Sequence, residues 1–285
     1  MYKNLSPGAI GIRDFGLVQT LELAQKTGFS GIDFNIREAA QLADEKGVDY
    51  VRGLFNDAGV RPGIWGLPVA WNKDEWHDGL ADLPQLAAVG QAIGAMRTQT
   101  WVPPSSDTRA FDDNFNWHVD RFGPIAEALK PYGIRFGLEF FGPKTLRPAD
   151  KEAFIYSMEG MLDLAKAIGT GNVGLLLDAW HLYTSGGSMS DLDKITNEDV
   201  VSVHVNDAPE GLTMDEYNDH DRRLPMETGV IDLGTFMRKL SAMGYDGPVT
   251  PEPFSKRVNS IEDPHEAARL TASYMDKLWE AGGVA

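Results

Sequence analysis

One local pattern recurs along the chain: a stretch with helical periodicity, then a glycine, then a short apolar or β-branched run. The residue after a helix often adopts positive φ, which glycine reaches without strain, so each glycine predicts a helix end. The apolar run that follows predicts a buried strand. The pattern occurs in KTGFSGIDFN (26–35), DAGVRPGIWG (57–66), PYGIRFGLEF (131–140), AIGTGNVGLLLD (167–178) and AMGYDGPVTPEPF (242–254).

The alternation of helix and strand extends along the whole sequence. Strands are predicted at Ala9–Arg13, Gly31–Asn35, Gly63–Leu67, Arg97–Val102, Arg135–Phe140, Val173–Asp178, Val200–Asn206 and Pro248–Glu252. Helices are predicted at Val18–Lys26, Ile36–Ala58, Leu83–Ile93, Trp117–Leu129, Glu152–Ile168, Leu233–Met243 and Glu266–Ala281. Eight such units in about 250 residues are typical of a (β/α)8 TIM barrel, whereas an open doubly wound sheet usually has fewer strands. No linker composition interrupts the chain, so residues 1–285 are predicted to form a single domain.

Composition narrows the choice of partners and ligands. The 285 residues include no cysteine, so any metal must be held by oxygen or imidazole. The formal charge of −16, from 42 acidic and 26 basic residues, repels phosphate backbones and anionic lipid. No signal-type leader and no run of 18 apolar residues is present, so we expect a cytoplasmic protein that binds neither nucleic acid nor membrane.

The longest irregular stretch lies between Asp207 and Val230 and contains DAPEGLTMDEYNDHDRRLPMETG. It is too polar for a core and too long for a simple connection. We therefore expect a functional loop over one end of the barrel.

Ligand-type side chains end four successive predicted strands. The motifs GLEF, GLLLD, VSVHVND and VTPEPF carry Glu139, Asp178, His204 and Glu252. In a barrel of this class the chemistry lies at the carboxyl ends of the strands, where neighbouring side chains converge. A lone acid at a strand end can simply cap a helix, but four together would leave buried charge uncompensated without a cation. Three carboxylates and one imidazole suit Mn²⁺, Mg²⁺, Co²⁺ or Zn²⁺.

These motifs resemble those of the xylose isomerase-like barrels, also called the sugar phosphate isomerase/epimerase family, and most closely the inosose (2-keto-myo-inositol) isomerases. The resemblance covers essentially the whole chain and is strongest from Ile134 to Phe254. It rests on GLEF, NVGLLLDAWH, VSVHVND, the Asp-Arg pair of DHDRRLP and GVIDLGTFMRKLSAMGYDGPVTPEPF. Homo-oligomers are common among such relatives, so a dimer or tetramer is one expected state.

The resemblance implies roles for individual residues. The family's metal ligands correspond to Glu139, Asp178, His204 and Glu252, with one divalent ion, Mn²⁺ being favoured. The DxxH histidine, His181, and the family's arginine, Arg222, are expected to contact substrate oxygens. The chain departs from the family where LPMETG, with Glu227, replaces the usual Pro-Gly-x-Gly, and where Asn206 replaces a frequent acidic residue.

The chemistry expected is isomerisation or epimerisation of a keto-sugar or cyclitol (inosose) by proton transfer through an enediolate. Glu139 and Glu252 are expected to be both ligands and the acid/base pair. Trp101, with Trp65 and Trp71, could form a wall against the sugar ring, although packing at the barrel rim explains each tryptophan equally well. No Gly-rich cradle or basic pair indicates a phosphate site.

Three alternatives remain open at this level. The same scaffold could house a lyase or dehydratase acting on a 3-keto-glycoside or inosose, including cleavage of C-glycosides. A DNA-repair endonuclease would need more histidines at strand ends and a less acidic chain. A non-catalytic binding barrel would need an incomplete ligand set.

Other polar residues receive simpler interpretations. Lys144 is expected to be a solvated loop lysine rather than an oxyanion partner. Three histidines, His77, His118 and His265, are expected at the surface, and the pattern does not decide the place of His220.

Overall fold

Eight parallel strands close into a barrel in the computed structural model, which describes residues 1–284. Each barrel strand pairs with its neighbours in sequence order, and the last pairs with the first, as Tyr2 opposite Pro248 shows. The strands are β1 Tyr2–Leu5, β2 Gly31–Phe34, β3 Arg61–Gly66, β4 Arg97–Val102, β5 Arg135–Phe140, β6 Val173–Asp178, β7 Val200–Val205 and β8 Pro248–Pro251. The predicted (β/α)8 TIM barrel is confirmed.

Helices connect the strands and pack around the barrel. They are α1 Leu17–Thr27, α2 Ile36–Lys46, α3 Val48–Ala58, α4 Trp76–Ile93, α5 Phe111–Leu129, α6 Met158–Ile168, α7 Ala179–Thr184, α8 Leu233–Ala242, α9 Lys256–Asn259 and α10 Pro264–Gly282. Among the helices of residues 1–284, none is both long and apolar enough to cross a membrane.

The glycines of the recurring pattern take the predicted conformation. Gly28, Gly59, Gly133, Gly169 and Gly244 all have positive φ, between 64° and 84°. Each lies where a helical segment ends and the chain turns into the next strand, a position that a residue with a Cβ would occupy only with strain.

The prediction of the first strand was wrong. Ala9–Arg13 is not a strand, since Ala9 and Ile10 are buried in a 3₁₀ helix, Pro7–Ile10, that ends at Gly11 with φ of 86°. The strand is the preceding segment, Tyr2–Leu5, which pairs with both β8 and β2. The apolar residues after Pro7 are buried and therefore resemble a strand in sequence, but they pair with no strand of the barrel.

Several helix boundaries were also predicted wrongly. The segment Ile36–Ala58 forms two helices because Gly47, with φ of 90° and ψ of 148°, interrupts it. Helix α6 starts at Met158, where the Ser157 side chain caps it, rather than at Glu152. Glu152–Ala153 instead pairs with Ser105–Ser106 in a small antiparallel sheet. Helices α4 and α5 begin about two turns earlier than predicted.

The core lies between the barrel and its helices as well as inside the barrel. Side chains alternate along a strand, so Leu175 and Leu177 point away from the face that carries Asp178. Both leucines are fully buried. The strand therefore fixes the direction of its terminal carboxylate by packing its leucines on the opposite side.

Replacing Leu177 by alanine should lower the free energy of unfolding by about 2–5 kcal/mol, because it removes buried methyl groups and leaves a cavity. Urea unfolding followed by circular dichroism measures this loss. The control is Val18→Ala on an exposed helix face, which should change stability by no more than about 0.5 kcal/mol. Equal effects of the two substitutions would contradict the packing described.

Candidate metal centre

Four ligand-type side chains meet at the carboxyl ends of the last four barrel strands. Glu139 and Asp178 lie at the ends of β5 and β6, His204 lies near the end of β7, and Glu252 follows β8. One donor atom from each lies within 4.8 Å of the others. Parallel strands that end at one rim place such side chains together, although they come from segments more than a hundred residues apart.

Two donor atoms of this cluster lack a partner within the protein. Glu139 Oε1 and His204 Nδ1 are buried and make no hydrogen bond of normal geometry among residues 1–284, although they lie 3.6 Å apart and His204 Nδ1 lies 3.3 Å from Glu252 Oε2. Buried polar atoms without partners are rare in native proteins. Burial raises the pKa of Glu139 to about 8, the shift expected when a carboxylate lacks compensating charge.

Arg222 is the positive charge that the protein itself supplies. Its guanidinium is buried and donates to Asp178 Oδ2 at 3.0 Å, to Glu252 Oε2 at 3.0 Å and to Asp219 Oδ1 at 2.7 Å. Together with Glu139, four carboxylates surround one guanidinium. When all four are ionised and His204 is neutral, three negative charges remain in excess, so a divalent cation fits both the geometry and the charge of the site. Without a cation the same excess charge acts on His204: against the effect of burial, Glu252 and Glu139 raise its pKa well above the usual value.

Gln99 of β4 contacts the ring nitrogen of His204 that faces away from the carboxylates. The Gln99 amide nitrogen lies 3.2 Å from His204 Nε2, and the Gln99 carbonyl accepts from Ser202 Oγ at 2.5 Å, so in this orientation the amide donates to an unprotonated Nε2. Binding a cation through Nδ1 requires the His204 proton on Nε2, and that proton needs an acceptor. Rotation of the Gln99 amide by half a turn presents its carbonyl to Nε2 and its NH₂ to Ser202.

His181 faces the same centre from the first turn of α7. Its Nδ1 accepts a hydrogen bond from the backbone N–H of Gly142 at 3.2 Å, so the proton of the neutral ring lies on Nε2. The approach of Arg222 Nη2 to Nε2 at 3.3 Å is then a contact between two donors and not a hydrogen bond. That nitrogen is 3.9 Å from both Glu139 Oε1 and Asp178 Oδ2. Burial and Arg222 lower the pKa of His181 well below its usual value, which keeps the ring neutral. The arrangement suits a hydrogen-bond donor to a ligand.

The irregular segment after β7 is held in place by Asp207. This buried carboxylate accepts hydrogen bonds from the backbone N–H groups of Thr228, Gly229 and Ile231 at 2.7–3.0 Å. The backbones of Asp207 and Arg223 also exchange two hydrogen bonds. Anchored in this way, the segment carries Arg222 into the centre.

The two departures from the family pattern have local structural roles. Glu227 accepts from Leu224 N and from Arg257 and lies outside the cluster. Asn206 is buried and donates to Asp178 Oδ1 at 3.1 Å, so it orients this carboxylate.

The three tryptophans have different environments in the structure. Trp65 is fully buried and donates to Ala95 O, and Trp71 donates to Thr100 Oγ1, so both serve packing. Trp101 is 43% exposed, stacks on Phe141 and lines the same cavity as Glu139, His204 and Glu252.

Among the remaining residues, the prediction for His118 was wrong. It is buried against Trp71, Phe122 and Phe154, because α5 presents it to an aromatic cluster, and burial lowers its pKa to about 4. His77 is exposed, as expected, and His265 is half-buried. Lys144 forms an exposed ion pair with Asp215, and His220 is exposed beside Phe254.

Sequence reasoning missed the roles of Gln99, Asn206 and Asp219. Gln99 lies inside β4 without a charged neighbour, and Asp219 lies in a polar loop with several other acids. Of the three, only Asn206 was marked in the sequence, because it departs from the family pattern directly after a strand.

The fold and the cluster at the carboxyl ends of the strands define a class of protein. It is a (β/α)8 barrel with oxygen and imidazole side chains grouped as for a divalent cation. The chain belongs to the xylose isomerase-like TIM barrel family, whose model matches residues 21–278. The curated relatives place it among enzymes of the isomerase and epimerase kind.

Three relatives illustrate the range of activities named for proteins similar to this chain. An inosose isomerase of Halalkalibacterium halodurans is 23% identical over 251 residues, which cover 86% of each chain. A ketose 3-epimerase of Arthrobacter globiformis is 26% identical over 138 residues, 48% of this chain and 40% of its own. A 3-dehydroshikimate dehydratase of Pseudomonas aeruginosa is 31% identical over 162 residues, 56% of this chain and 23% of its own.

Solved structures agree on the fold. A xylose isomerase domain protein of Alicyclobacillus acidocaldarius superposes with a TM-score of 0.86 at 29% identity, covering 99% of both chains. The IolI protein, solved with a bound zinc atom, has a TM-score of 0.77 at 18% identity and covers 99% of this chain and 98% of its own.

Adding Mn²⁺ to metal-stripped protein should raise its stability, because the folded state alone assembles the four donors. At a concentration 100 times the dissociation constant, the gain is about 2.7 kcal/mol. Thermal unfolding with and without the ion measures it, and Glu139→Gln should abolish most of the shift. An unchanged melting temperature of the unsubstituted protein would contradict a metal centre here.

Gln99→Leu should weaken metal binding by about 10- to 100-fold, because His204 Nε2–H then lacks an acceptor. Gln99→Glu keeps an acceptor and should bind the ion nearly as well as the unsubstituted protein. Calorimetric titration with Mn²⁺ compares them, with Gln41→Leu on the exposed face of α2 as control. If both Gln99 variants lose affinity equally, the residue acts through packing and not as an acceptor.

Proposed function

We propose that the protein is a divalent-metal-dependent isomerase or epimerase that moves a proton on a keto-sugar or inosose through an enediolate. The observation that carries this proposal is the buried four-donor cluster with two unpartnered donor atoms, at the rim where barrels of this class do their chemistry. The likeness to an inosose isomerase and to a ketose 3-epimerase supports the substrate class.

Glu139, Asp178, His204 and Glu252 would hold the ion. A bound divalent ion supplies Lewis acidity toward a carbonyl and a neighbouring hydroxyl oxygen. The oxygen-rich donor set with a single imidazole favours Mn²⁺, while Mg²⁺, Co²⁺ and Zn²⁺ are compatible with it.

Glu139 and Glu252 are the proposed proton carriers. They come from β5 and β8, which are not adjacent in the barrel, and so approach a substrate in the centre from different sides. Removal of a proton by one carboxylate and its return by the other exchanges configuration at one carbon, which is epimerisation. Return to the neighbouring carbon is isomerisation.

His181 and Arg222 are the proposed partners of substrate oxygens. The Nε2–H of His181 points into the centre because Gly142 occupies Nδ1. Arg222 lies 3.3 Å from this nitrogen and is fixed by three carboxylates, so its charge is pre-positioned for developing negative charge on oxygen. Trp101, stacked on Phe141, offers an apolar wall for the sugar ring.

A second candidate is a lyase or dehydratase at the same site. The 31% identity to a 3-dehydroshikimate dehydratase over 162 residues favours keeping it. Abstraction of the same α proton followed by loss of a β-substituent gives elimination, so the two functions differ in the products and not in the first step. The expected cytoplasmic location and homo-oligomeric state stay predictions.

Glu252→Gln should reduce turnover by at least about 100-fold while the protein remains folded, because the amide cannot carry the proton. Transfer of deuterium from solvent into inosose and ketohexoses, followed by NMR, detects the proton step whichever product forms. Glu127→Gln on the exposed face of α5 is the control.

Deuterium incorporation at the unsubstituted rate in Glu252→Gln would exclude this residue as a proton carrier. Absence of incorporation into every keto compound with the unsubstituted, metal-loaded protein would contradict the proposed function. Release of water or of a leaving group would identify the lyase.

A further inference from the structure

Arg222 contacts two of the four side chains that are proposed to hold the divalent ion. Its Nη1 nitrogen lies 3.0 Å from Asp178 Oδ2 and 3.0 Å from Glu252 Oε2. Both of these oxygens face the cluster. Glu252 Oε2 lies 3.3 Å from His204 Nδ1, and Asp178 Oδ2 lies 3.9 Å from His181 Nε2. The guanidinium of the protein and a divalent ion therefore depend on the same carboxylate oxygens.

Asp178 offers no second oxygen that could separate the two cations. Its Oδ1 accepts hydrogen bonds from Trp180 N at 2.7 Å and from Asn206 Nδ2 at 3.1 Å. The carboxylate is fully buried at the end of β6, and these two bonds fix its orientation. Only Oδ2 is left for a cation, and Arg222 already donates to it.

Most of the donors of Arg222 are engaged within the protein. A guanidinium has five N–H groups. The two on Nη1 are used by Asp178 and Glu252, Nε donates to Asp219 O at 2.9 Å, and one on Nη2 donates to Asp219 Oδ1 at 2.7 Å. The fifth faces His181 Nε2, which is itself a donor. Nη1 can serve a substrate oxygen only if it gives up the carboxylates.

The arginine and the carboxylates are each held by contacts that do not involve Nη1. Asp219 binds the guanidinium from the loop side, and the rings of Trp180 and Phe254 lie 5.4 Å and 4.9 Å from its central carbon. Asp178 keeps its bond to the backbone of Trp180. Loss of the Nη1 contacts therefore changes the charge at the centre without removing the support of either side.

Two cations at the same buried oxygens repel each other, because solvent and salt screen charges little in the interior. We propose that Arg222 competes with the divalent ion for Asp178 Oδ2 and Glu252 Oε2. Arg222 neutralises these carboxylates in the metal-free protein, and it releases its Nη1 hydrogens for a substrate oxygen when the ion is bound. This inference rests on the metal centre of the proposed function and specifies how Arg222 becomes available to the substrate.

Arg222→Gln removes the competing charge and tests the proposal without any measurement of turnover. In a calorimetric titration with Mn²⁺, its dissociation constant should be at least about tenfold lower than that of the unsubstituted protein. An arginine that only positioned the donors would give the opposite sign, since its loss would weaken binding. The metal-free variant should melt at a lower temperature, because Asp178 and Glu252 then lack their counter-ion, and Mn²⁺ should raise its melting temperature by more.

Three further variants separate charge from packing. Arg222→Met is also neutral, keeps an apolar chain beside Trp180 and Phe254, and should tighten Mn²⁺ binding as Arg222→Gln does. Arg222→Lys keeps a cation and should stay within about threefold of the unsubstituted protein. Arg223→Gln is the matched control, since it removes one positive charge from the same loop, where Arg223 pairs with Asp221 at 2.8 Å, and it should also stay within about threefold.

The outcomes distinguish this inference from the metal centre itself. Tightening by less than tenfold in both neutral variants, or weakening, would overturn the competition and leave the proposed function intact. Tenfold tightening in Arg222→Lys or Arg223→Gln would overturn it as well, because a charge at the two oxygens would not be the cause. If neither neutral variant folds at saturating Mn²⁺, the ion does not replace the charge of Arg222 and the inference is wrong. Absence of Mn²⁺ binding by the unsubstituted protein would contradict the metal centre and the proposed function with it.

Discussion

An excess of buried negative charge at one rim of the barrel is the constraint on which the rest of the site depends. Asp178, Asp219, Glu139 and Glu252 surround Arg222, and a single guanidinium cannot neutralise them. Buried charge of this kind is costly unless it is paired, so the site requires either a further cation or protonation of a carboxylate. In the protein alone, burial raises the pKa of Glu139, and Glu252 and Glu139 raise the pKa of His204 against the effect of burial, so both groups tend to hold a proton.

The scaffold holds this unfavourable arrangement because Asp178, His204 and the loop that carries Arg222 are fixed by bonds that do not involve the centre. Asp178 accepts from Trp180 N at 2.7 Å and from Asn206, His204 contacts Gln99, and the loop with Arg222 is anchored by Asp207. The leucines of β6 pack behind Asp178. Such support allows a donor set to stay in position before a ligand binds, which reduces the cost of binding.

The two halves of the rim differ in chemistry. The ends of β5 to β8 carry the charged donors, whereas the ends of β1 to β3 form a cavity with Phe15, Phe34 and Asp33. A barrel permits this division because each loop can vary while the strands keep the geometry.

The sequence by itself determined the barrel and the four side chains that meet at its rim, because both are encoded locally: glycines mark the helix ends, apolar runs mark the strands, and a polar residue stands where each run stops. The sequence misplaced the first strand, because Ala9 and Ile10 are apolar and buried although they lie in a 3₁₀ helix. Only the pairing with β8 and β2 identifies Tyr2–Leu5 as the strand. Tertiary structure alone decided the partners of the centre. Gln99 and Asn206 act through contacts between segments distant in sequence, and His118 is buried by the packing of α5. Asp219 contacts Arg222 only three residues on, but its role follows from the folding of that loop into the centre.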